Sequence, residues 1–190
     1  MTLKQEMKHD TGRARKACRA SLPAFFAFLF LFQFSWAGSP PLSSDRTIAL
    51  YNIHSQESAV IEYCSAGAYV PQALSTVDRL MRDPLNGEVK SIDPKLLDLL
   101  FELHTKIGAS DPFTVICGYR SPQTNAALRA RSQGVAEHSL HMEGKAADIR
   151  LPGVPLDVLY KAALALKAGG VGYYPKSGFI HVDVGPVRTW

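Results

Sequence analysis

The residues of this sequence that could do chemistry gather in one stretch and in a late echo of it. His138-Ser139-Leu140-His141-Met142-Glu143-Gly144-Lys145-Ala146-Ala147-Asp148 sets a histidine and an aspartate seven positions apart, with a glycine and small residues between them. Near the end, Gly178-Phe179-Ile180-His181-Val182-Asp183-Val184-Gly185 places another histidine inside a strand-like run. Asp148 sits among Ala146, Ala147, Ile149 and Leu151, and His181 between Ile180 and Val182. An ionised group in such apolar company is costly unless it is paired or bound to metal. Imidazole nitrogen and carboxylate oxygen both ligate zinc, and three protein ligands leave the fourth tetrahedral position for water, as in a catalytic rather than a structural site. His141, Asp148 and His181 are therefore expected to hold one Zn2+ per chain. The competing reading of the same residues is a set of satisfied buried polar groups.

Several elements must position these side chains. Thr47–Ile53 and Ser58–Cys64 are rich in β-formers and joined by a short polar link, which reads as a β-hairpin with His54 as a surface histidine in its turn. Leu74, Val77, Leu80 and Met81 follow helical spacing after Pro71. A second helix has Asp93 as N-cap, Pro94 in its first turn, a leucine-rich buried face and Gly108 as its stop. His104 lies on that helix as a structural residue. Phe113–Cys117 reads as a strand running into Gly118-Tyr119-Arg120-Ser121-Pro122, where Ser121 can cap a short Ala-rich helix to about Arg131. Residues 132–139 read as a loop, Ala146–Leu151 as a strand, and Pro155–Leu166 as a helix ending at Gly169-Gly170. Gly172–Gly178 turns into a last strand, Phe179–Val184. This order predicts an α+β fold, helices packed on one side of a mainly antiparallel sheet.

The 190-residue chain opens with a basic head, an apolar run Leu22–Phe32 and small residues at Ser35 and Ala37. That pattern predicts a signal peptide over 1–37, followed by a Ser/Pro-rich flexible leader over 38–46 and a single domain over 47–190. The apolar run is short for a membrane span, which takes about 20 residues, so no stable membrane insertion is expected after cleavage; an uncleaved anchor is the alternative. Six of the 21 basic residues and two of the 17 acidic ones fall in 1–37, so the remainder is neutral. The basic pI belongs to the export signal and gives no support to nucleic-acid binding. Cys64 and Cys117 follow the signal, either as one disulfide or as two buried thiols. Neither has a sequence context that lowers a thiol pKa, so a cysteine nucleophile is not expected.

Ser139-x-His141-x-x-Gly144-x-Ala146-x-Asp148, with Gly118-Tyr119-Arg120-Ser121 before it and His181 after it, resembles the zinc D-Ala-D-Ala carboxypeptidase family, whose fold is shared with the hedgehog signalling domain. Gly169–Tyr174, Phe179–Gly185 and Arg188-Thr189-Trp190 are similar to a bacterial branch that cuts peptide cross-links in peptidoglycan. The resemblance covers Phe113–Trp190 well and Thr47–Ser110 by element order. It implies that His141, Asp148 and His181 are the zinc ligands, that Arg120 binds substrate and stabilises the oxyanion, and that Ser139 hydrogen-bonds a ligand or the substrate. Many relatives carry a general base a few residues before the last ligand; here Gly178 and Phe179 stand there. Asp183, on the same strand face as His181, is the first candidate base, with orientation of a ligand as its alternative role, and His138 is the second. The implied protein is an exported, monomeric peptidase of a bacterial periplasm or envelope that acts on peptidoglycan stem peptides or cross-links. A D,D- or L,D-carboxypeptidase is the alternative enzyme, and a non-catalytic peptidoglycan-binding module the alternative of another class.

Overall fold

A computed structural model describes residues 45–132 and 134–190. The expected signal peptide and nearly all of the leader lie outside those residues. The strands are β1 (Arg46–Asn52), β2 (Ser58–Ser65), β3 (Ala68–Tyr69), β4 (Phe113–Cys117), β5 (Ala146–Arg150), β6 (Gly170–Tyr174), β7 (Phe179–Asp183) and β8 (Arg188–Thr189). The helices are α1 (Pro71–Leu80), α2 (Pro94–Ile107), α3 (Pro122–Arg131) and α4 (Leu156–Leu166), with a 3-10 helix at Leu140–Glu143. Arg46, expected in the leader, opens β1 and is held by Asp98 at 2.6 Å. No helix among the described residues is long and apolar enough to cross a membrane.

All eight strands form one sheet in the order β3-β2-β1-β4-β5-β7-β6-β8. The sheet is mixed: β1 runs parallel to β4 and β6 parallel to β8, while the remaining neighbours are antiparallel. The parallel β1–β4 pair arises because two helices, α1 and α2, intervene between those strands and return the chain in the same direction.

Alternation sorts the strands into two chemistries. Phe113 and Val115 of β4, Ala147 and Ile149 of β5, and Ile180 and Val182 of β7 all belong to the apolar core. Leu96, Leu97, Leu100 and Leu103 of α2 join them, with Leu159 and Ala163 of α4. Burial of each such leucine stabilises the fold by about 1.5–3 kcal/mol. The intervening residues Asp148, His181 and Asp183 point to the opposite face. Helix α2 starts and stops as its sequence dictates. Asp93 accepts from the Lys95 amide, and Gly108 caps it at φ 71°. In contrast, α3 puts no residue into the apolar core and buries Thr124 and Asn125 instead, so its role is polar.

Gly144 closes the 3-10 helix in the left-handed region, φ 68°, and its amide bonds the His141 carbonyl at 3.3 Å. A Cβ there would run into the Ser91 carbonyl. Gly144→Ala is expected to destabilise the domain by about 2–4 kcal/mol, from strain and overpacking together. A urea-unfolding midpoint unchanged from that of the parent would contradict this.

Among the described residues, Cys64 and Cys117 are not joined to each other in a disulfide. Strand β1 lies between β2, which carries Cys64, and β4, which carries Cys117. Strands two apart are separated by about 9–10 Å, beyond the reach of a disulfide.

Candidate active site

Strand register brings two of the three expected ligands face to face: Asp148 of β5 pairs directly with His181 of β7. His141 arrives from the 3-10 helix, which is fastened to the β4–α3 junction by the Arg120 amide donating to the His141 carbonyl at 3.2 Å. The functional atoms converge. His141 Nε2 lies 3.1 Å from His181 Nδ1 and 3.3 Å from Asp148 Oδ1, and His181 Nδ1 lies 3.0 Å from the same Asp148 oxygen. Ligand atoms about 2.0–2.1 Å from a tetrahedral zinc stand about 3.3 Å from one another, so this triangle has the size of a metal site.

The far sides of both rings fix which nitrogen faces inward. His141 Nδ1 lies 2.7 Å from the Gly118 carbonyl, which can only accept. His181 Nε2 lies 3.0 Å from Asp183 Oδ2, which is ionised. Each ring therefore carries its proton outward and presents a lone pair to the same point as the Asp148 oxygen. Three lone-pair donors in van der Waals contact, all buried, repel one another unless a proton or a cation sits between them. All three are hard or borderline donors suited to a divalent ion.

The electrostatics agree. Burial alone would raise the Asp148 pKa, yet His141 and His181 hold it well below the usual carboxylate range. Burial would likewise lower His141, but Asp148 and Cys117 raise it well above an ordinary histidine. Cys117 is a member of the cluster that the sequence did not single out: its sulfur lies within 4.8 Å of ligand atoms of His141 and Asp148. Its thiol pKa is lowered, burial being outweighed by the field and hydrogen bond of His141. The expectation that no sequence context lowers a thiol pKa is thus overridden at Cys117 by a neighbour distant in sequence. The missing signal was tertiary: Cys117 is the cross-strand partner of Asp148.

The cluster forms the floor of a cleft of about 580 Å³. Arg120, His138 and Ser139 line it, as do Tyr174, Arg188 and Trp190. Arg120 Nη2 lies 3.5 Å from Cys117 Sγ and 3.8 Å from Asp148 Oδ2, Nη1 lies 3.4 Å from Asn125 Oδ1, and its Nε is buried with no partner. Ser139 is buried beside His141, whereas His138 is exposed.

Asp183 is placed elsewhere. It is fully buried and absent from the cleft lining. Its Oδ1 accepts from the Gly170 and Gly185 amides and from Arg188 Nη1, and its Oδ2 from His181 Nε2 and Arg188 Nη2. Burial would raise its pKa, but these donors, His181 first, hold it well below the usual carboxylate range. It reaches the His141–Asp148–His181 cluster only through the back of the His181 ring.

A family model described as peptidoglycan L,D-endopeptidase MepK, Peptidase_M15_2, matches residues 41–190. The chain belongs to this peptidase family. The Escherichia coli K12 protein named peptidoglycan L,D-endopeptidase MepK is 44% identical over 145 residues, covering 76% of this chain and 80% of that protein. A Shigella flexneri protein of the same name matches at the same identity and coverage. The match to the MepK family begins before β1 and takes in the hairpin and α2, which the sequence motifs alone reached only through element order. Tyr174, Arg188 and Trp190 line the cleft without a role in the motifs, and Asn125 of α3 stands outside its lining. Asn125 reaches the Ala136 and Glu137 carbonyls at 3.0 and 3.4 Å, tying the loop over the cleft to α3.

Proposed function

We propose that this chain is a zinc-dependent peptidoglycan endopeptidase of the bacterial cell envelope, cutting peptide cross-links. The observation that carries the reading is the convergence of His141 Nε2, Asp148 Oδ1 and His181 Nδ1 at the floor of a cleft with an unsatisfied guanidinium beside them. The relatives' names supply the substrate class.

His141, Asp148 and His181 would hold the ion, which when bound supplies a Lewis acid able to acidify water to near neutrality. The remaining work falls to the chain. The Gly118 carbonyl and Asp183 keep both imidazoles in the tautomer that presents a lone pair. Arg120, which lines the cleft and is positioned through its Nη atoms by Asn125 and Cys117, is set to hold the carbonyl oxygen of the scissile bond as it gains negative charge. His138, exposed at the cleft, takes the proton from the attacking water and returns it to the leaving amine. Asp183 cannot take that proton, because its oxygens are filled and it lies behind His181; it orients that ring. Ser139 lies in the cleft wall within reach of substrate.

Arg120→Gln is expected to lower kcat/KM by about 10²–10³-fold with metal content unchanged; loss of metal together with activity would instead make Arg120 part of the metal shell. Metal affinity also has a pH sign. A raised His141 pKa means that protons compete for the site, so apparent Zn2+ affinity should rise with pH, by up to about tenfold per unit between pH 6 and 8 for one displaced proton. Competition against a chromophoric chelator reads this, and a flat profile would contradict it.

Incubation with purified cross-linked muropeptides, with products read by mass, tests the function. Two monomers from one dimer are expected. Loss of a single terminal residue would indicate a carboxypeptidase, and no change a binding module.

A further inference from the structure

Arg188 has no part in the steps above, yet it is built into the cleft. Its Nη1 donates to Asp183 Oδ1 at 3.1 Å and to the Pro186 carbonyl at 2.9 Å, and its Nη2 donates to Asp183 Oδ2 at 2.7 Å. Those bonds consume the end of the guanidinium and one corner. What remains is the side edge, the Nε–H and the second Nη2–H, which point the same way and match the two oxygens of a carboxylate. No acceptor among the described residues meets that edge. The side chain is 42% exposed and lines the cleft. It is also fixed: the guanidinium lies 5.0 Å from the centre of the Trp190 ring, and Trp190 donates from Nε1 to the Tyr174 hydroxyl at 2.6 Å. Trp190 in turn lies 5.1 Å, centre to centre, from His181. Little side-chain entropy is left to lose when this edge takes a ligand.

The charges in the cleft point the same way. Asp148 is the one acidic side chain among the described residues that line it, and that charge is committed to the histidine cluster. Two guanidiniums, Arg120 and Arg188, face the same space. A cleft so arranged favours a substrate with a free carboxylate near the bond that is cut.

We infer that Arg188, braced by Asp183 and Trp190, is a carboxylate subsite that holds the free carboxylate of a diamino dicarboxylic acid residue flanking the scissile peptide bond. The inference rests on the proposed function and assigns the part of the cross-link that this side of the cleft reads.

Calorimetric titration of the zinc-loaded full-length chain with a stem tripeptide ending in meso-diaminopimelate tests it. The peptide is compared with forms amidated at the side-chain carboxylate or at the terminal one. One amide should weaken binding by about 10- to 100-fold, naming the carboxylate held. Arg188→Lys, which keeps the charge but loses the fork, should shrink that ratio to about threefold or less with zinc content held at one per chain. A purely structural role through Asp183 would weaken all three peptides alike and leave the ratio intact, which would overturn the subsite. So would failure of the free peptide to bind, or equal binding of all three by the unsubstituted chain. Cleavage of the cross-linked dimer is scored in parallel. Cleavage with no carboxylate preference removes only the subsite, whereas the predicted preference without cleavage removes the endopeptidase reading.

Discussion

His181→Ala is expected to leave less than about 0.1 zinc per chain after dialysis and to lower kcat/KM by about 10³-fold or more, with the circular dichroism of the fold retained. Three separate losses coincide in this one substitution. In the proposed ligand set the imidazole supplies one of three ligand atoms, its Nδ1 lying 3.1 Å from His141 Nε2 and 3.0 Å from Asp148 Oδ1. It supplies the surface on which Trp190 packs. It also joins Asp183 to the cluster, so its removal leaves a buried carboxylate with one fewer donor. The core face of β7 is untouched, because Ile180 and Val182 point the other way. Retained zinc with lost activity would move the ion to another donor set, and Cys117 with His141 and Asp148 is the set that the geometry offers.

Asp183→Asn separates the two roles that the sequence allowed for this residue. As a general base its loss would abolish turnover at every zinc concentration. As the group that orients His181, its loss should weaken zinc affinity by about 10–100-fold, and saturating zinc should restore most of the turnover. The second outcome is expected. Asparagine can keep the oxygen that accepts from Gly170 and Gly185, but its amide nitrogen would then face His181 Nε2 and Arg188 Nη2, donor against donor. The ring then loses what fixes its tautomer. His138→Gln is the matching control: turnover should fall with zinc affinity unmoved. Stability carries its own sign. The Asp183 pKa is lowered on folding, so its contribution is full above the ordinary carboxylate range and is lost as pH falls below that range through the depressed native pKa. Asp183→Asn should therefore flatten the acid limb of the unfolding midpoint against pH.

The parts of this molecule that were legible in the sequence are those in which one residue type carries its own constraint. Asp93-Pro94 and Gly108 bounded α2, and Ser121-Pro122 opened α3, because caps act locally. Asp148 and His181 announced themselves as polar residues in apolar strands, and register then set them opposite each other. Strand β6 was read as a turn because Gly170, Gly172 and Pro175 punctuate it. The reason for Gly172 is tertiary: a Cβ there would stand 2.7 Å from the Trp190 indole. Helix α4 ends at Lys167 in the left-handed region, φ 53°, rather than at the glycine pair. The parallel β1–β4 pairing and the placement of Cys117 beside Asp148 depend on contacts across many residues, which local pattern does not encode. Asp183 is the instructive case. Its strand parity was right, since it shares a face with His181, but parity does not say that two amides and an arginine fill its oxygens.

The most direct test of the account is metal content measured beside turnover on one sample. The chain is stripped with chelator, assayed on a cross-linked muropeptide dimer, then titrated with zinc while cleavage and bound zinc are followed together. The predicted result is no cleavage when stripped, and cleavage rising in proportion to bound zinc to a plateau at one per chain. Cleavage that persists in the stripped protein, or zinc bound at one per chain by a His141→Ala, Asp148→Ala, His181→Ala triple variant, would contradict it.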